Sequence, residues 1–173
     1  MHRTINGGEE YPDYNINVTY AVIANALEAN VQVRLCLRDD GSSDDTTVVV
    51  YGTITAHAEC FDLGSILFDR GERRTLWFPS GKSSILPLAR SVVAVSFGWT
   101  LRVLVQLTIA DGDNTRRDPR QIQGIVDFSG GSPKRTLESE AGSVEVDITW
   151  YPEFTADTAT TAETTEQEYY ERE

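Results

Sequence analysis

The pattern that leaves this chain the fewest options is a two-residue alternation of apolar and polar side chains, repeated in separate segments after Asn30. Val31, Val33, Leu35 and Leu37 alternate with Gln32, Arg34, Cys36 and Arg38. Leu101, Val103, Val105, Leu107 and Ile109 alternate with Arg102, Leu104, Gln106 and Thr108, and Ile122, Gly124, Val126 and Phe128 oppose Gln121, Gln123 and Asp127. Val144, Val146, Ile148 and Trp150 oppose Glu145, Asp147, Thr149 and Tyr151. Successive side chains of a strand point to opposite faces, so each segment offers one face to a core and one to water. Thr46 to His57 is β-branched and aromatic throughout, which predicts a further strand with Gly52 as a bulge or close-packing point. The apolar run from Ser91 to Phe97 predicts a strand covered on both faces. Turn residues separate these segments and no amphipathic helix is interleaved. The pattern predicts an all-β fold, an antiparallel sandwich or barrel of about six to eight strands.

Elsewhere the pattern is less regular. Ser65 to Phe68 and Thr75 to Phe78 read as a short hairpin about the Asp69-Arg70-Gly71 turn. Residues 16–29 read as a strand followed by a short helical turn. The expected organisation is a flexible N-terminal segment over 1–15, one β-domain over 16–154 and a disordered acidic tail over 155–173. The net charge of −12 divides along the same line. The tail holds six carboxylates against Arg172, a net −5, and leaves −7 on the rest. Phosphate backbones are bound chiefly through Lys and Arg, so direct nucleic-acid binding is not expected.

No run of about 20 apolar residues is present, and MHRTINGGEEYPDYN carries no apolar leader stretch. Two cysteines, Cys36 and Cys60, are too few for a disulfide framework and are expected to act as small buried hydrophobes. The expectation is a cytoplasmic protein in which the Asn17-Val18-Thr19 acceptor triplet is idle.

The chemistry-bearing motifs are sparse. His2 and His57 are the only histidines, and His57 shares a strand face with Tyr51, Thr53 and Thr55, as an ordinary strand histidine does. Neither a nucleophile–base triad nor a zinc site is expected. Gly81-Lys82-Ser83 imitates the end of a phosphate-binding loop, but Leu76 stands where that loop needs glycine and Pro87 interrupts the required helix. Glu138 and Glu140 read as solvated turn charges rather than as paired acids. The loop from Asp111 to Asp118 is the one candidate metal site. Asp111, Asp113 and Asp118 end one strand and precede the next, as oxygen ligands for calcium would. The pattern looks like a calcium-binding loop of phospholipid-binding β-sandwich domains, with Asp39, Asp40, Asp44, Asp45 or Asp62 as further donors and Arg116 and Arg117 opposing. Membrane binding would then depend on calcium.

Four blocks carry a family resemblance. They are Val50-Tyr51-Gly52-Thr53-Ile54-Thr55-Ala56, Ile66-Leu67-Phe68-Asp69-Arg70, Leu86-Pro87-Leu88-Ala89-Arg90-Ser91-Val92-Val93-Ala94-Val95 and Gly142-Ser143-Val144-Glu145-Val146-Asp147-Ile148-Thr149-Trp150. In this order they resemble the C-terminal β-rich domain of jasmonate-induced ribosome-inactivating proteins of grasses. In those proteins adenine removal from ribosomal RNA belongs to a separate domain with a Glu-Ala-x-Arg helix; the nearest string here is Glu140-Ala141-Gly142-Ser143, which lacks the arginine. The resemblance therefore implies a non-catalytic interaction or regulatory module in stress, defence and translation control, without the N-glycosidase domain. It implies a protein partner, ribosome-associated, and no cofactor. Arg70 and Arg90 are then its candidate structural or recognition residues, each weighed first as a strand-end salt bridge and second as a binding group, and no catalytic residue carries over.

Overall fold

The computed structural model describes residues 2–7, 16–21, 23, 25–38, 47–59, 64–112, 118–129 and 133–151. The expected acidic tail over 155–173 lies outside them. Two antiparallel sheets pack face to face, each built around a strand of twelve residues. One is centred on β3 (Ala26–Leu37) and the other on β4 (Thr47–Ala58). Along one side of β4 lie β5 (Ser65–Arg70) and β6 (Leu76–Pro79); along one side of β3 lie β7 (Ser83–Ile85) and β8 (Val92–Ser96). On their other sides, β4 pairs with β9 (Leu101–Asp111) and then β10 (Arg120–Phe128), while β3 pairs with β12 (Gly142–Tyr151) and then β11 (Lys134–Ser139). A separate two-stranded sheet joins β1 (His2–Gly7) to β2 (Ile16–Ala21), so part of the stretch expected to be flexible is paired strand.

The alternation sets which face is buried. Val31, Val33 and Leu35 of β3, Leu101 to Ile109 at alternate positions of β9, and Val144, Val146 and Ile148 of β12 are all at most 1 % exposed. Each such side chain contributes about 1.5–3 kcal/mol by leaving water. Phe68 and Phe128 are the largest side chains fully enclosed between the sheets. Gly52 is a close-packing point. Its φ is +130°, and a Cβ there would lie 2.1 Å from the Gln106 backbone oxygen on β9. The irregularity lies opposite Ile54 and Thr55, where β5 carries one extra residue and so buries both Leu67 and Phe68 in succession.

Four expectations are corrected. Ser65–Phe68 and Thr75–Phe78 do not form a hairpin. The Glu72–Arg74 3-10 turn sets the chain down further along β4 in the same direction, so β5 pairs Gly52–Ala56 and β6 pairs Thr47–Val50 as one interrupted edge strand. The helical turn read before Asn30 is strand from Ala26 onward, entered through Asn25 at φ 51°. The Ser91–Phe97 run is covered on one face only: Val93 and Val95 are buried while Val92 is 44 % exposed, because β8 is an edge strand whose outer face nothing packs against among the described residues. Cys36 also departs from its expected burial, sitting half-buried on the outer face of β3 with its Sγ 3.6 Å from Ser83 Oγ. Cys60 lies outside the described residues.

β7 and β8 mirror the β5–β6 arrangement along β3, and the Leu86–Arg90 segment between them bridges the two sheets. Leu86 N donates to Val33 O at 2.9 Å, and Ala89 N donates to Leu67 O of the bulged β5 at 2.7 Å. At the opposite corner Leu137 of β11 fills the space left by Gly124 of β10, where a Cβ would lie 2.5 Å from its Cδ1. Both long sides of the sandwich are thereby tied. Among the described residues no helix is long and apolar enough to cross a membrane.

Candidate functional site

The residues nominated from sequence are dispersed. Asp111 is the last residue of β9, opposite Val48 and half-buried, and Asp118 is exposed ahead of β10. Asp113 lies outside the described residues, as do Arg116, Arg117, Asp39, Asp40, Asp44, Asp45 and Asp62. Among the described residues no three His, Cys, Asp or Glu side chains converge as a metal ion requires. Arg70 ends β5 opposite Gly52 and is half-buried, whereas Arg90 is exposed on the bridging segment. Neither has an ion-pair partner among the described residues. Glu138 and Glu140 are exposed at the β11–β12 turn, whose shape is held by Ser139 Oγ. That oxygen accepts from Ala141 N and donates to Gly142 O, both at 3.1 Å. The Gly81-Lys82-Ser83 string runs from a turn into β7 and opens no helix.

What the tertiary structure does assemble is a contrast between the two outer faces. On the β3 sheet the outward positions mix charged side chains with neutral ones and with exposed Ile85, Val92 and Tyr151. Glu145 of β12 receives Lys134 Nζ of β11 at 2.7 Å and faces Arg34 Nε of β3 at 3.9 Å, with Asp147 and Glu28 exposed nearby along the strands. On the β4 sheet the outward positions are nearly free of charge. Register places Tyr51, Thr108 and Gln121 in one row, and Thr53, Gln106 and Gln123 in the next. Thr55, Leu104 and Ile125 follow, joined by Ile66 from β5. Ile66 and Ile125 are 54 % and 57 % exposed and neighbour each other across the Thr55–Leu104 row.

Charge is confined to the margins of this face. At one end His57, Arg102 and Asp127 form a row in which Arg102 Nε donates to Asp127 Oδ1 at 2.9 Å and Nη2 to Oδ2 at 3.3 Å. This forked bond and the charge of Asp127 raise the Arg102 pKa above its ordinary value. His57 Nε2 lies 3.2 Å from Thr55 Oγ1, and the ring rests so close over Gly64 that a Cβ there would be 2.3 Å from it. The imidazole is thus wedged between neighbours as a packing group of the strand face. Asp69 lies on the β5 edge, opposite Thr53.

At the other end stands Trp77 of β6, 61 % exposed and registered with Val49. Its ring extends over β4 towards β9, where a Cβ on Gly112 would fall 2.7 Å from its Cζ3. The glycine leaves the indole room to lie along the sheet. Sequence reading passed over this face although its signal was present. The outward halves of the β9 and β10 alternations, Gln106, Thr108, Gln121 and Gln123, are amides and hydroxyls where strand surfaces usually carry charge. Only register reveals that they are neighbours.

A family model described as a domain of unknown function (DUF6598) matches residues 10–148. No curated protein and no solved structure matches the chain.

Proposed function

For a chain that belongs to the DUF6598 family, we propose the role of a non-catalytic interaction and regulatory module, acting in the cytoplasm through contact with proteins. The observation that carries this reading is the outer face of the β4 sheet. It exposes Ile66, Ile125 and Trp77 around neutral hydrogen-bonding side chains, the composition of an interface core with its charge kept to the rim. The ordered resemblance of the Val50–Ala56, Ile66–Arg70, Leu86–Val95 and Gly142–Trp150 blocks to the accessory domain of grass ribosome-inactivating proteins supports a ribosome-associated partner and a role in translation control. The net charge of −12 supports protein rather than RNA as the component contacted.

The test is sedimentation of the purified full chain with purified plant ribosomes through a sucrose cushion, together with an assay for released adenine. The expected result is retention in the ribosomal pellet with adenine release at background. A chain that stays wholly in the supernatant sinks the ribosome-associated role, and adenine release above background sinks the non-catalytic one.

A further inference from the structure

We infer that the acidic segment 155–173 of this chain lies against a row of arginines on the β5 side of the sandwich, formed by Arg70, Arg73, Arg74 and Arg90. The contact is away from the outer face of the β4 sheet and does not rest on the reading of that face.

The arginines are set apart by what their counterparts already hold. Arg102 binds Asp127, Lys134 binds Glu145 with Arg34 beside it, and Arg135 Nε donates to the Asp127 carbonyl at 3.4 Å. Arg70, Arg73, Arg74 and Arg90 have no ion pair or side-chain hydrogen bond among the described residues. Arg70 follows buried Phe68 by two positions on β5 and so shares the side of that strand that faces the other sheet. Arg73 and Arg74 are exposed on the turn that comes next, which Arg74 N closes by donating to Gly71 O at 2.8 Å. Arg90 is exposed on the segment that bridges the sheets, one residue after Ala89, whose N–H bonds Leu67 O of β5. Leu67 and Arg70 are about 10 Å apart along the strand, so the four guanidinium groups line one stretch of the edge. Asp69 and Glu72 are the carboxylates of that stretch, which leaves it a net +2 in a chain of −12. Like charges held this close repel one another until an anion shares them.

Charge and reach together select the occupant. Segment 155–173 holds Asp157, Glu163, Glu166, Glu168, Glu171 and Glu173 against Arg172. Register sets Tyr151, the last residue of β12, opposite Glu28 of β3, and Glu28 opposite Ala94 of β8. Two strand spacings across and four residues back along the chain put Arg90 about 16 Å from Tyr151. The five glutamates fall twelve to twenty-two residues beyond Tyr151. A coil of that many residues spans about 19–26 Å root-mean-square. A tethered group reaches its highest effective concentration, in the millimolar range, where the span matches this length. Arg38 and Lys82 are also unengaged, but they sit at the far end of β3, where Leu37 N donates to Lys82 O at 3.3 Å. That end is about 30 Å from the Glu28 row. Arg120 opens β10, at the opposite edge of the β4 sheet.

The consequence is a cover that any other anion must displace. A free acidic ligand competes for the row with carboxylates that are always at hand, and salt weakens both.

Nitrogen-15 spectra of the full chain, at low and at high sodium chloride, test the inference through the arginine Nε–H signals. The comparison variant carries Glu163→Gln, Glu166→Gln, Glu168→Gln, Glu171→Gln and Glu173→Gln. At low salt the Arg70, Arg73, Arg74 and Arg90 signals are expected to differ between the two chains, while the Arg120 signal does not. At about 1 M salt, where charges are screened beyond about 3 Å, the difference is expected to vanish. A second arm digests the chain with an endopeptidase specific for glutamate. Arg73→Gln, Arg74→Gln and Arg90→Gln, all at exposed positions, are expected to keep the fold by circular dichroism. Combined, they are expected to speed cleavage after Glu163, Glu166 and Glu168 at least threefold at low salt. Arginine signals that coincide at low salt overturn the inference, as does cleavage at the parent rate. So does a shift that grows with protein concentration, which gives the row to the segment of a neighbouring copy.

Discussion

Replacing Gly52 by alanine tests the account of how β4 meets β9. The backbone there has φ +130°, outside the range that L side chains adopt readily, and holding such a residue costs about 1–3 kcal/mol. The added Cβ would also sit 2.1 Å from the Gln106 carbonyl oxygen and 3.0 Å from the Leu107 Cα, both backbone atoms of the neighbouring strand that no rotamer change can move. Forcing the ladder apart adds about 1–3 kcal/mol more, as for an overpacked core. The sum, roughly 4 kcal/mol, is a large share of a typical domain stability of about 5–15 kcal/mol. Equilibrium unfolding in urea, followed by tryptophan fluorescence, is expected to show the midpoint falling with the slope unchanged. The melting temperature should drop by about 15 °C. Gly71→Ala is the matched control. Gly71 has φ −75° and no atom within 4 Å of where a Cβ would stand, so alanine is expected to be neutral or to stabilise by about 0.4–1 kcal/mol. Gly52→Ala unfolding within about 0.5 kcal/mol of the parent chain would refute the close-approach argument.

Two further outcomes follow from the same geometry. Phe128→Ala empties a fully buried site between the sheets and is expected to cost about 3–5 kcal/mol in the same urea assay, whereas Ile125→Ala, on the exposed face three residues earlier, should stay within about 0.5 kcal/mol. Millimolar calcium is expected to leave the melting temperature unchanged and to give no heat in calorimetry, since Arg116 and Arg117 set two positive charges among the carboxylates of the Asp111–Asp118 stretch. Heat that Asp111→Asn abolishes would reinstate the cation site at the Asp111–Asp118 loop.

The legibility of this chain differs from strand to strand for a physical reason. β9 and β12 pair along their length with a long neighbour and bury one face, so a strict period of two is imposed on them and can be read back. The edge strands escape that constraint. β5 holds a bulge that buries Leu67 and Phe68 side by side, and β8 keeps Val92 in water, so their apolar runs suggested a hairpin and a doubly covered strand that do not exist. Asp111, Asp113 and Asp118 stood out because acidic loops are conspicuous in one dimension. The Gln106–Gln123 face did not, because its members lie on separate strands far apart in the chain and at ordinary spacings.

Fold class and the inward face of each long strand are written in the amino-acid order, since alternation is a local property and burial of one face is its direct consequence. Everything that depends on which strand lies beside which came from the assembled sandwich. It joined β5 to β6 and β7 to β8 as interrupted edges, and it tied the sheets through Ala89 N and Leu67 O. It also brought the neutral side chains of β4, β9 and β10 together into one surface. Register is a relation between distant segments, set by the packing of both sheets at once, and no single segment carries it.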